Sequence, residues 1–238
     1  LPVYANEGWG YDDSPSLDGF RGCQFECLQH FEVNTENYYG PEESIMLPLR
    51  GMPRLRTLEL TVDVDTDTLF SMTLPFLRSI SVDHLKKYPL DGLAKNHSLT
   101  QLEAISFFPH AVDPGDEPYI QLSGLKAICR SKYLKALKRI TLFSASFGDD
   151  GISEIIDSGL ISRLTQLDLS HGCVTDAGAE RLAACDLSGL QRLTLDHNFL
   201  SKRMVEKLTK EGVNLSAQSQ STGNPAEDDE YLYAGSWE

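Results

Sequence analysis

Two histidines occupy matching places in two similar stretches of the chain. His171 lies in Leu164-Thr-Gln-Leu-Asp-Leu-Ser-His171 and His197 in Leu190-Gln-Arg-Leu-Thr-Leu-Asp-His197, with Asp168 and Asp196 nearby. If the two stretches stack as neighbouring strands, equal positions fall roughly 5 Å apart. Two imidazoles and two carboxylates so placed could hold a metal weakly or relay a proton. The same residues also fit a pair of solvated polar groups at a strand-to-turn edge. Cys23-x-x-x-Cys27 offers two sulfur ligands, but no second cluster accompanies it. The sequence lacks the Gly-x-x-x-x-Gly-Lys, Gly-x-Gly-x-x-Gly, Gly-x-Ser-x-Gly and His-Glu-x-x-His patterns. The expectation is a chain with no catalytic residue, no metal and no cofactor.

The elements that would position these residues follow from a repeat. The pattern Leu-x-x-Leu-x-Leu, with apolar substitutions, starts at Leu28, Leu55, Leu77, Leu102, Leu137, Leu164 and Leu190. A partial further copy is Val213-x-Leu215. The last two apolar positions of each copy alternate, as in a short strand with one buried face. A helix-like stretch then follows, clearest in Thr175-Asp-Ala-Gly-Ala-Glu-Arg-Leu-Ala-Ala-Cys185. Thr175 suits an N-cap, Asp176 the first turn, and Ala179, Leu182 and Ala183 one buried face. Gly151–Ile156 and Ser201–Leu208 fill the same slot in their repeats. One unit cannot bury its own apolar face, so stacked units must share one core, with a parallel inner sheet and outer helices.

Residues 164–183 resemble a leucine-rich repeat of the ribonuclease-inhibitor-like type. Leu190-Gln-Arg-Leu-Thr-Leu-Asp-His-Asn-Phe-Leu-Ser is similar to its consensus, with Asn198 at the turn asparagine. The resemblance implies an α/β solenoid, a horseshoe of about seven to eight repeats over 28–215. It also implies that Asn198 donates to backbone carbonyls of neighbouring coils. The ending, Gly212-Val-Asn-Leu215, a polar linker and then Tyr231-Leu-Tyr-Ala-Gly-Ser-Trp-Glu238, is similar to a bacterial family of short leucine-rich-repeat proteins. The Thr-Asp-x-Gly helix start and Cys185 are similar to the cysteine-containing repeats of F-box proteins. Gly172, however, stands where those repeats carry a turn cysteine, and no F-box segment is evident.

Three segments are expected: an N-terminal cap over 1–27, the repeat domain over 28–215, and an acidic linker with an aromatic end over 216–238. Tyr4, Trp9, Tyr11, Phe20 and Phe25 suit a cap, and the Ser/Gln-rich stretch 216–226 has linker composition. Tyr231, Leu232, Tyr233 and Trp237 either fold back over the last coil or dock on a partner. The net charge of −14 opposes general nucleic-acid or anionic-membrane binding. A locally basic stretch, Lys126 to Arg139, reads as a solvated helix face and loop. No apolar run is long enough for a membrane span. The odd count of 5 cysteines, without a Cys-x-x-Cys pair, reads as reduced, mostly buried thiols and a cytoplasmic setting. No signal-peptide pattern is present, although a start at Leu1 leaves a removed leader open.

With the first Leu of each repeat as position zero, positions two, four and six point outward on the inner, concave face. They are mostly small or polar; Phe108 beside Phe143 is the exception. With Arg139, Thr141, Asp168, Arg192 and Asp196, these two rings form the expected partner-binding set. The Pro-rich stretch 109–119 starts directly after Phe108 and reads as a binding loop, a tolerated insertion or a cover for the rings. The expected function is a non-catalytic protein–protein interaction scaffold, its partner a protein or peptide. An accessory subunit that positions a separate enzyme or peptide substrate is the alternative. A hydrolase or metal-binding protein using His171 and His197 is the third.

Overall fold

The computed structural model describes residues 2–4, 17, 20, 22–34, 42–84, 87–109 and 117–223. The apolar triplets become strands: β1 (Pro2–Tyr4), β2 (His30–Asn34), β3 (Thr57–Thr61), β4 (Ser79–His84), β5 (Ala104–Pro109), β6 (Arg139–Leu142), β7 (Gln166–Asp168), β8 (Arg192–Thr194) and β9 (Asn214–Ser216). Among the described residues they form one sheet of nine strands in chain order, every pair parallel. Parallel neighbours require a crossover. Helices supply most of these: α1 (Glu42–Leu49), α2 (Thr66–Ser71), α3 (Leu90–Lys95), α4 (Leu122–Arg130), α5 (Gly148–Asp157), α6 (Asp176–Ala183) and α7 (Lys202–Lys210). The result is a solenoid-like α/β architecture, with helices on one face of the sheet.

The register follows the repeat. Phe31 pairs with Leu58, Leu58 with Ile80, Ile80 with Ile105, Ile105 with Ile140, Ile140 with Leu167, Leu167 with Leu193 and Leu193 with Leu215. A second ladder runs through Val33, Leu60, Val82, Phe107 and Leu142. The residues of both ladders are fully buried up to Leu193, whereas Leu215 in the last strand is half-buried. The helices turn Leu69, Leu93, Leu125, Ile152, Ile155, Ala179, Leu182, Met204 and Leu208 onto the same core. α5 starts at Gly148, three residues before the slot expected from sequence.

Polar groups stitch one coil to the next. Asn198, with no exposed surface, accepts from the Val174 N–H at 2.8 Å and donates to the Leu169 carbonyl of the preceding coil at 2.9 Å. Asp149 accepts from the Thr175 N–H and hydroxyl at 2.8 and 2.6 Å, and Asp176 does the same for Ser201 at 2.7 and 2.6 Å. Each Asp thus fixes the N-cap residue of the following helix. Gly178 makes the first contact possible, because a Cβ there would lie 2.4 Å from the Asp149 Oδ1. The buried Asn96 has a similar role between the ends of α2 and α3, donating to the Phe70 and Met72 carbonyls at 2.8 Å each.

The ends differ from their composition. β1 lies inside the segment expected as a cap and adds a strand to the sheet, with Val3 opposite Val33. Leu17 is buried, and Phe20 and Phe25 pack against the core, their rings 5.7 Å apart. Trp9 and Tyr11 lie outside the described residues. The stretch from 216, polar enough to read as a linker, is bound to the last coil as far as Ser221. Gln220 donates to the Leu195 carbonyl, and the Ser221 N–H donates to the Asn198 carbonyl at 2.7 Å. Backbone pairing, which composition does not encode, holds it there. Tyr231, Leu232, Tyr233 and Trp237 lie outside the described residues. Cys23 and Cys27 are exposed rather than buried, since their turn lies ahead of the first complete repeat. Among the described residues, no helix is long and apolar enough to cross a membrane.

Two substitutions check this packing. Leu167→Ala should lose about 2–5 kcal/mol by opening a cavity in the apolar ladder. Asn198→Ala should lose about 2–3 kcal/mol by stranding the Val174 N–H and the Leu169 carbonyl. Urea unfolding followed by circular dichroism measures both, and a loss below about 1 kcal/mol for Leu167→Ala would contradict the observed register.

Candidate functional site

The sheet face opposite the helices is lined by alternate strand residues. Position four of β3, β4, β5 and β6 supplies Glu59, Ser81, Ser106 and Thr141, all at least partly exposed. Three positions expected to point outward are buried instead: Ala104, Ser170 and Thr194. The Ser170 hydroxyl turns to Asp168, donating to its carboxylate.

A row of four rings crosses this face at the C-terminal ends of β5 to β8. Phe108 and Phe143 are 6.1 Å apart between centroids, Phe143 and His171 4.3 Å, and His171 and His197 4.0 Å. The two imidazoles are nearly parallel, 19° between planes. All four side chains are half-buried. Inward-pointing Phe107 packs on Phe70 and Tyr88 in the core, so Phe108 emerges on the opposite face.

The backbone explains how phenylalanines at position six meet histidines at position seven. Ser144, His171, His197 and Ser219 share position seven and all have positive φ, between 49° and 55°. The N–H of each of the first three donates to the position-six carbonyl of the following coil: Ser144 to Ser170, His171 to Asp196 and His197 to Gln218. This left-handed turn is uncommon outside glycine, though tolerated by His. It turns the chain at the same point in successive coils, and His171 comes to lie over Phe143. Sequence pairing by equal position linked Phe108 to Phe143 and His171 to His197. It did not join the two pairs, because the shift of one position arises in the turn.

The electrostatics suit stacking better than proton transfer. Burial pushes the His171 imidazole down to about 4, with the neighbouring His197 adding to the shift and Asp196 opposing it. His171 is therefore neutral at physiological pH. The Asp196 carboxylate already accepts from the Ser216 hydroxyl at 2.8 Å and the Gln218 N–H at 2.6 Å. Asp168 accepts from the Ser170 N–H at 3.0 Å. Both carboxylates hold turns. A metal binds imidazole along an in-plane lone pair, and stacked rings hold those lone pairs side by side rather than aimed at one point. Among the described residues no three His, Cys, Asp or Glu side chains converge on a common point. Burial also raises the thiols of Cys129, to about 11, and Cys173, which makes both weak nucleophiles.

No protein-family model matches the chain, and no curated protein matches it either. Its structure is similar to the crystal structure of a Bacteroides fragilis protein determined as a structural-genomics target. The TM-score is 0.57 at 18% identity, over 81% of this chain and 56% of that one. The chain thus spans little more than half the length of that protein. At this identity the likeness is one of fold.

The remaining residues of the expected set lie along β6 to β8 and the turns after them, with Arg139 and Arg192 at the strand starts, away from the rings. Arg139, Gln166 and Arg192 pair across β6, β7 and β8, so the two guanidinium-bearing residues stand two strands apart. Thr141 pairs with Asp168, and Asp168 with Thr194. Residues 110–116 of the Pro-rich loop lie outside the described residues. Its far end returns to the fold, where Tyr119 accepts from the Tyr88 N–H at 2.9 Å and Glu117 pairs with Lys87 at 3.0 Å.

The depressed His171 value fixes the sign of a pH effect. Unfolded His171 takes up a proton near pH 6.5, whereas the native ring does so only near pH 4. Its contribution to stability is present above about pH 6.5 and is lost as the pH falls toward 4. The C2 proton resonance of His171 should titrate with a midpoint near pH 4 and stay nearly unshifted above about pH 5.5. His171→Asn, which tolerates the left-handed turn, should flatten the acid limb of thermal stability. A titration midpoint near 6.5 would mean that the ring is solvated and unstacked.

Proposed function

We propose that the chain is a leucine-rich-repeat solenoid of the ribonuclease-inhibitor-like type, a non-catalytic scaffold that binds a protein or peptide on its concave face. The observation that carries this reading is the row Phe108–Phe143–His171–His197, running across four consecutive strands of an otherwise polar face. Aromatic side chains bury roughly 150–250 Å² each and dominate interface energetics. A neutral His171 adds to the flat ring surface without the desolvation cost of a charge. Arg139 and Arg192, at the starts of β6 and β8, would select acidic or carbonyl-rich segments of a partner that reach beyond the row. The ribonuclease-inhibitor-like assignment is supported by the in-register apolar ladder and by Asn198, which bridges coils as that repeat type implies. The cytoplasmic, bacterial setting belongs to the same proposal and rests on the cysteine pattern and the resemblance of the ending.

Phe143→Asp places a charge at the centre of the row while leaving the ladder beneath intact. A partner captured by the wild type and identified by mass spectrometry should bind this variant at least about tenfold more weakly in calorimetry, a loss of roughly 1.4 kcal/mol or more. Thermal unfolding of the variant should stay within a few degrees of the wild type. Equal affinity of the two proteins would remove the row from the interface.

A further inference from the structure

We infer that the margin at which the strands begin is a second docking surface, for a polypeptide segment whose carboxylates flank an apolar side chain. The carboxylates pair with Arg54 and Arg56 on one side of Phe76 and with Lys135 and Lys138 on the other, and the apolar side chain covers Phe76.

A tight turn builds this margin. The N–H groups of Leu55, Leu77, Leu102, Leu137, Leu164 and Leu190 each donate to the carbonyl three residues back. The residue after each leucine is then bonded to its equivalent in the neighbouring coil. The Arg78 N–H donates to the Arg56 carbonyl at 2.8 Å, Glu103 to Arg78 at 2.8 Å and Lys138 to Glu103 at 2.9 Å. The turns therefore stack at the strand pitch, about 4.8 Å. They lie roughly 20 Å from the row of rings, at the other end of the strands.

The chain carries 21 Lys and Arg against 35 Asp and Glu, and the margin inverts this ratio. The two turn residues, the leucine and the residue after it supply Arg54, Arg56, Arg78, Lys135, Lys138 and Arg163, against Glu103 alone. Among the ion pairs of the described residues only Arg78 of these is paired, with Glu103 at 3.4 Å. The helix layer differs. Lys95, Arg130, Arg181 and Lys207, in the last turns of α3, α4, α6 and α7, each pair with an acid. These four already complement the helix C-termini. The cations of the margin have no such task. The Debye length at physiological salt is about 8 Å, so a segment lying on the margin meets its local field before the net charge of −14.

Phe76 supplies the apolar half of the surface. It is 44% exposed, alone among the large apolar side chains of the described residues. Its turn closes backbone to backbone and gains nothing from an aromatic ring. Arg54 occupies the same turn position in the preceding coil, and Arg78 follows two residues on. An aromatic ring among arginines is the composition enriched at protein interfaces. Glu103 interrupts the cations between Arg78 and Lys138. A phosphate polymer carries charge on every unit and meets Glu103 and the acidic chain unfavourably, whereas a polypeptide can place an uncharged residue there. The inference does not depend on the row of rings binding a partner.

The probe is a fluorescein-labelled synthetic peptide with glutamates on both sides of a central leucine pair, titrated with the full chain and read by fluorescence anisotropy. It should bind at low salt, weaken as salt rises, and bind more tightly than versions with lysine for glutamate or serine for leucine. Arg54→Glu with Arg56→Glu should weaken binding at least about tenfold, and Phe76→Ser at least about threefold. Lys126→Glu with Lys202→Glu, on α4 and α7, should weaken it less than about twofold, since these sites lie away from the margin. Far-UV circular dichroism checks that each variant is folded. The arginine pair and Phe76 read the surface separately, so one variant that fails to fold does not block the test. Absence of any preference over the lysine and serine peptides would overturn the inference, as would equal weakening by the margin and control variants. A single-stranded oligonucleotide that bound the margin more tightly than the peptide would also overturn it, by assigning the surface to nucleic acid.

Discussion

Every coil of this protein has an apolar face that it cannot bury alone, and that constraint organises the molecule. Leu167 is covered because Ile140 and Leu193 lie on either side of it. The hydrophobic term is therefore shared between neighbours, and stability passes from coil to coil rather than residing in one central core. The ends are where the sharing stops. β1 extends one edge, and β9 with the polar residues after it extends the other, where Leu215 is left half-buried.

Polar contacts between coils supply what apolar stacking lacks, which is directional registration. A Leu ladder tolerates small slips; the hydrogen bonds of Asn198, Asp149 and Asp176 do not. These groups sit at the turns, where strand meets helix. The axial spacing of the rings on the open face is thus set by side chains on the far side of each turn, and the row inherits its geometry from residues it does not contain.

The sheet order, the strand register and the helix slots were legible because each rests on a local period that recurs. Thr175, expected as an N-cap, accepts from the Ala177 N–H; Asn198, expected to donate to a neighbouring coil, donates to the Leu169 carbonyl. The site was legible only in halves. Phe108 with Phe143 and His171 with His197 follow from equal positions, but their union depends on positive φ at position seven, which Ser and His do not announce as Gly would. β1 was missed because three residues carry no period. The hold on residues 216–221 was missed because it comes from backbone pairing and the Gln220 side chain, not from apolar spacing. Thr194 was misplaced as exposed because alternation gives direction and says nothing of what lies above.

The left-handed turn at position seven has a further consequence. At 144, 171 and 197 the backbone is held by its own N–H bond to the next coil, whatever the side chain: Ser at 144, His at 171 and 197. The turn itself consequently does not depend on which of these side chains it carries. Each of the last four coils offers one such slot along the rim. A lineage can rewrite the lettering of that rim one coil at a time while the core beneath it remains the same.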